Sequence, residues 1–186
     1  MSKSIAEKIS DWCCKEGGKR VEEYSVILYG LEVVIENIVK TIILISIGIF
    51  FCRLKEAFII VFSFCVVRIY AGGIHAKYSL GCTAFMVGVE MVGLIFDQFI
   101  EISGIYYVIL GVLSNILIGM YAPNGSRSCD LLEETVKRKK KRYALCTANI
   151  LFLLAFCLEI KELVIMPIFL EALSLLLFEI RKEICK

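Results

Sequence analysis

Apolar residues run along this chain in long blocks, with no strand-like alternation. Six blocks stand out, at residues 26–52, 57–74, 80–100, 105–122, 143–158 and 163–178. A helix rises about 1.5 Å per residue and needs about 20 residues to cross about 30 Å of hydrocarbon, so each block predicts a transmembrane helix. The last two are short and must draw on flanking Tyr, Lys and Arg at the interface. The expected fold is an all-α polytopic membrane protein of about six spans, forming a single domain over residues 1–186.

Residues 1–18 follow a different pattern. Ser4-Ile5-Ala6-Glu7 has capping-box spacing, Ile5, Ile9, Trp12 and Cys13 share one helical face, and Gly17-Gly18 ends the run. This predicts an amphipathic helix on the membrane surface. Lys3, Glu7, Lys8, Asp11 and Lys15 interrupt any apolar core of a cleavable signal peptide, so none is expected.

Composition reinforces the membrane reading. Of 186 residues, 59% are hydrophobic, and the mean hydropathy is +0.79, which argues against a soluble enzyme. A net charge of +2 gives no reason to expect a nucleic-acid partner. The placement of the 21 Lys and Arg is more informative. With the N-terminus inside, they concentrate before the first block, at residues 137–142 and after the last block, while the outer loops hold Arg53, Lys55 and Lys161. The positive-inside rule then puts both termini in the cytoplasm.

The nine cysteines are an odd number, scattered, with no CxxC and one histidine for company. Neither a disulfide framework, a metal site nor a cofactor is expected from them, and most should pack as small apolar groups. One deserves separate treatment. Residues 68–82 read Arg68-Ile69-Tyr70-Ala71-Gly72-Gly73-Ile74-His75-Ala76-Lys77-Tyr78-Ser79-Leu80-Gly81-Cys82. A thiol beside an imidazole makes a nucleophile, because the imidazole can take the proton and hold the ion pair. In one continuous helix, seven residues would separate His75 and Cys82 by about 10.5 Å along the axis, beyond hydrogen-bond reach. A break between them is therefore required, and Gly72-Gly73, Ser79 and Gly81 can supply it. Taken on spacing alone, His75 could equally be an interfacial ring, Cys82 one thiol among nine, and Arg68 a snorkelling anchor.

Arg68, Ala71-Gly72-Gly73, His75-Ala76 and Cys82 resemble the signature of the accessory gene regulator B (AgrB) family of bacterial membrane cysteine endopeptidases, which process precursors of cyclic autoinducer peptides. The size, the six blocks, and Tyr121-Ala122-Pro123-Asn124 followed by a basic run also resemble that family. The resemblance implies Cys82 as nucleophile and His75 as its base, with Arg68, Gly72 and Gly73 in support. It implies a short AgrD-like propeptide as substrate, quorum sensing as the setting, the bacterial cell membrane as the location, and a homodimer. No acidic third member of the site is evident, so the group that orients His75 stays open.

Other polar residues have plainer readings. Glu32, Glu36 and Lys40 form one stripe with Asn37 beside it, best read as an intrahelical Glu36–Lys40 pair. Glu90 and Glu171 each stand alone in an apolar block, and either could pair with Lys40 or Arg68. The cytoplasmic segment 123–142 places Glu133 and Glu134 at helical spacing from Lys137 and Arg138, ahead of Lys139, Lys140 and Lys141. Such a run anchors a helix on the inner face; because family substrates carry an acidic tail, it is also expected to attract that tail. Two other classes remain: a non-enzymatic peptide exporter or scaffold lined by Arg68 and His75, and a thiol oxidoreductase using Cys13-Cys14.

Overall fold

The computed structural model describes residues 21–72, 79–124 and 133–184. The expected surface helix at 1–18, together with Gly73 and His75, lies outside the described residues. Among the described residues there are six α-helices: α1 Val21–Phe50, α2 Leu54–Ala71, α3 Ser79–Phe99, α4 Gly104–Tyr121, α5 Glu134–Cys157 and α6 Lys161–Ile184. Four of the described helices contain segments long and apolar enough to cross a membrane, at Gly30–Phe50, Gly81–Phe99, Gly104–Tyr121 and Lys161–Ile180. The protein is an all-α polytopic membrane protein.

The helices match the apolar blocks at their centres and outrun them at their ends. α5 starts nine residues before Tyr143 and takes in the whole basic run, and α6 continues to Ile184. Of the two short blocks, the one in α6 falls within an apolar segment of spanning length, Lys161–Ile180, while α5 gains its extra length from charged turns. α2 stops at Ala71, short of the expected residue 74, because Gly72 turns the backbone to φ +85° and ψ −132°, a conformation that favours glycine.

The chain divides into two compact units, Met1–Ser46 and Ile47–Lys186. In the first, α1 carries the Glu36–Lys40 ion pair at 3.9 Å, the plainer of the two readings of its polar stripe. An open pocket of about 330 Å³ on its surface is lined by Val34, Asn37, Ile38, Thr41 and Ile42.

In the second unit α6 is the central element, packing against α2, α3, α4 and α5. Its Ile165, Ile168, Ala172 and Leu175 are fully buried, and they join Val67 and Ala71 of α2 and Ala144, Ala148 and Phe152 of α5 in one core. Small residues at these contacts let helices approach closely, which matters where lipid offers no hydrophobic drive for association. Glu90, Ser114, Glu171 and Ser174 are buried, whereas Val108, Ile109, Val112, Leu153 and Leu154 are exposed. Polar groups inside and a broad apolar exterior are the arrangement that hydrocarbon, and not water, stabilises.

The connections of this unit gather at two ends. At one, Arg53 forms an ion pair with Asp97 and donates to the Leu94 carbonyl at 3.2 Å, while the Ile102 N–H donates to Glu162 Oε1 at 3.0 Å. At the other, the Asn124 N–H donates to the Ala71 carbonyl at 3.2 Å, the Asn124 side-chain amide donates to Glu179, and the rings of Tyr70 and Tyr143 lie 5.6 Å apart. The second end holds the residues singled out by the sequence.

Candidate active site

Three segments build the site: the last two turns of α2, the first turn of α3 and the middle of α6. Helix α2 ends at Ala71 and α3 begins at Ser79, and the stretch between them that holds His75 lies outside the described residues. Cys82 falls in the first turn of α3 and is a half-buried free thiol. Backbone N–H groups in a first turn lack intrahelical acceptors, and the aligned peptide dipoles favour negative charge at that end.

Arg68, one turn before the end of α2, reaches across the bundle. Its Nη1 donates to Glu171 Oε2 of α6 at 3.0 Å, with the Glu171 side chain fully buried and that of Arg68 13% exposed. The Ser174 hydroxyl donates to the same carboxylate oxygen at 3.3 Å. The guanidinium carbon also lies 5.3 Å from the Phe64 ring centre and 5.8 Å from that of Phe85. A cation over two ring faces gains roughly 0.5 to 2 kcal/mol per contact, more as water is excluded. The head group is therefore held by a carboxylate and two aromatic faces, unlike a snorkelling anchor whose charge ends in solvent.

Phe85 is three residues beyond Cys82 on α3, one helical turn away, and it carries Arg68 on its ring. Cys65 of α2 lies within electrostatic range of Arg68, Glu171 and Cys82 together. Of the two acids expected to compete for Arg68, Glu171 takes it. Glu90 is fully buried on α3 with neither carboxylate oxygen hydrogen-bonded among the described residues.

Gly72 is fixed by a close approach. It forms an isolated parallel bridge with Asn124, and a Cβ at Gly72 would stand 2.2 Å from the Asn124 carbonyl oxygen. The segment Tyr121-Ala122-Pro123-Asn124 thereby straps the end of α2 immediately before Gly73 and His75. Tied in turn to Glu179 of α6, the strap was not foreseen from the sequence, where Asn124 counted only toward the family resemblance.

The basic run occupies the first turns of α5. Lys139 is exposed, Lys140 and Lys141 are half-buried, and the Tyr70–Tyr143 contact ties the end of the run to α2 two residues past Arg68. The expected Glu133–Lys137 and Glu134–Arg138 pairs are replaced by Glu134–Lys137 at 3.4 Å. Glu133 is the non-helical cap at φ −58° and ψ 146°, and accepts from the Thr135 hydroxyl, so it is out of register with Lys137. Among the described residues no cluster of three His, Cys, Asp or Glu side chains could hold a metal ion.

An α-helical bundle with lipid-facing apolar walls and buried polar groups defines an integral membrane protein. The family profile described as Accessory gene regulator B, AgrB, matches residues 2–179, and the chain belongs to that family. It is similar to an AgrB-like protein of Listeria innocua, 28% identical over 92% of this chain and 86% of the relative. It is also similar to an accessory gene regulator protein B of Staphylococcus haemolyticus, 29% identical over 79% of each chain, and to an AgrB-like protein of Clostridium acetobutylicum, 23% identical over 93% of this chain and 86% of the relative. No solved structure matches the chain.

Proposed function

We propose that this protein is a membrane cysteine endopeptidase that removes the C-terminal tail of a short AgrD-like autoinducer propeptide for quorum sensing. The observation that carries the reading is the position of Cys82, in the first turn of α3 and one turn from the ring on which Arg68 is seated. Its chain crosses the bacterial cell membrane six times with both termini and the site on the cytoplasmic side, as the distribution of Lys and Arg favours. Lipid is its solvent, and a second copy of the chain its partner in a homodimer.

The chemistry follows from the groups present. Cys82 sulfur, its proton passed to His75, attacks the carbonyl carbon that precedes the tail; the new S–C bond pushes the carbonyl π electrons onto oxygen, where Arg68 stabilises the charge. On collapse the C–N bond breaks, the leaving nitrogen takes the proton from the His75 imidazolium, and a thioester to Cys82 remains. A thiol of the substrate then displaces Cys82, exchanging one thioester for another and closing a thiolactone. Gly72, which ends α2, and its neighbour Gly73 have supporting roles. Lys139, Lys140 and Lys141 attract the acidic tail.

The test is mass spectrometry of a candidate short propeptide, ideally one encoded beside the gene, co-expressed with wild type, Cys82→Ala and His75→Ala at matched membrane abundance. Tail removal by wild type alone is expected. Cleavage by Cys82→Ala overturns the nucleophile, and processing of no peptide by wild type overturns the enzymatic reading in favour of an exporter or scaffold.

A further inference from the structure

Arg68 owes its position to a residue 103 places later in the chain. Glu171 sits in the middle of α6, fully buried, with one carboxylate oxygen shared by the Arg68 guanidinium at 3.0 Å and the Ser174 hydroxyl at 3.3 Å. None of the motif residues lies on α6. A buried ion pair contributes little net stability against its desolvation, so its presence is better explained by what it holds in place than by what it adds to folding. The Phe64 and Phe85 rings bracket the same guanidinium and themselves lie 5.8 Å apart. Arg68 is thus held from α2, α3 and α6 at once. The orientation of its N–H fork is set by the carboxylate, since ring faces attract a cation without orienting that fork.

We propose that Glu171 is a positioning residue of the active site: it anchors the Arg68 guanidinium so that its charge meets the carbonyl oxygen as Cys82 attacks. The assignment rests on the peptidase reading above. It makes α6 part of the catalytic apparatus, and it makes Ser174 the group that orients the Glu171 carboxylate. Geometry of this kind acts on the transition state, where a displacement of about 1 Å costs on the order of 10²-fold in rate. Substrate capture, which depends on the basic turns of α5, should be left almost unchanged.

The experiment is a double-mutant cycle on the protein in proteoliposomes, with the propeptide that wild type cleaves in the test above as substrate. Wild type, Glu171→Gln, Glu171→Asp, Arg68→Gln and the double variant Arg68→Gln with Glu171→Gln are compared for folded abundance, kcat and KM. Glu171→Gln is expected to lower kcat about 10²-fold with KM within about threefold of wild type, and Glu171→Asp, which keeps the charge, to recover part of the loss. Each single Gln variant leaves one buried charge without its partner and should reduce folded abundance. The double variant removes both charges and should restore abundance while kcat stays at the Arg68→Gln level. Recovery of kcat together with abundance in the double variant, or a Glu171→Gln enzyme with wild-type kcat, overturns the assignment while leaving the peptidase reading intact. Absence of cleavage by wild type overturns both.

Discussion

The Gly72 backbone lies so close to Asn124 that a methyl group on Gly72 would stand 2.2 Å from the Asn124 carbonyl oxygen. Gly72 also holds φ +85° and ψ −132°, where a side chain adds strain on the order of 1–3 kcal/mol. Backbone, unlike a flexible side-chain tip, has little freedom to yield. Gly72→Ala should therefore displace the strap and misplace the turn that follows. We expect a lowered Tm in detergent and at least a tenfold loss of propeptide cleavage, measured on protein matched for membrane abundance.

Two thiols, Cys65 of α2 and Cys82 of α3, differ in where they lie on their helices. Cys82 opens a helix at the end of the bundle, whereas Cys65 lies inside α2, in electrostatic range of Cys82 but away from any helix terminus. Cys65→Ala should leave cleavage within about twofold of wild type, since it removes a small packing group and no attacking atom. Intact-mass analysis of the trapped acyl-enzyme should find the adduct on the peptide containing Cys82 in both proteins.

The basic turns of α5 give a test of substrate attraction. Replacing Lys139, Lys140 and Lys141 together with Gln should raise KM for an acidic-tailed propeptide and flatten its dependence on ionic strength, with kcat little altered. Cleavage assays in proteoliposomes at low and high salt measure both effects.

Asn115 and Asn149 join α4 to α5 by reciprocal amide hydrogen bonds of 3.3 and 2.9 Å, and each also donates to the carbonyl four residues earlier on its own helix. All four amide hydrogens are thereby used, so the pair is a closed structural link. Removing one partner strands the other in hydrocarbon. Asn149→Leu should destabilise the protein by about 0.6 kcal/mol, near the average for interhelical hydrogen bonds in membranes, while the double variant Asn115→Leu with Asn149→Leu should recover most of that loss in a reversible unfolding assay.

Much of the site was legible locally because its signals are local. The Gly72-Gly73 pair marks the end of α2. The Glu36–Lys40 pair needed only helical periodicity. Where local reasoning failed, a boundary had shifted: with Glu133 serving as the cap of α5, the salt bridge moved from an i, i+4 to an i, i+3 spacing.

By itself the sequence determined the solvent, the helices and the candidate nucleophile, because the length and polarity of a span are set by the thickness and polarity of a bilayer. Tertiary structure decided which acid receives Arg68, choosing Glu171 over Glu90, and which segment straps Gly72. Those pairings join residues 103 and 52 positions apart, and they depend on how four helices pack around α6. Hydropathy along a chain records which residues avoid water; the partner a buried charge will find is a property of the packing.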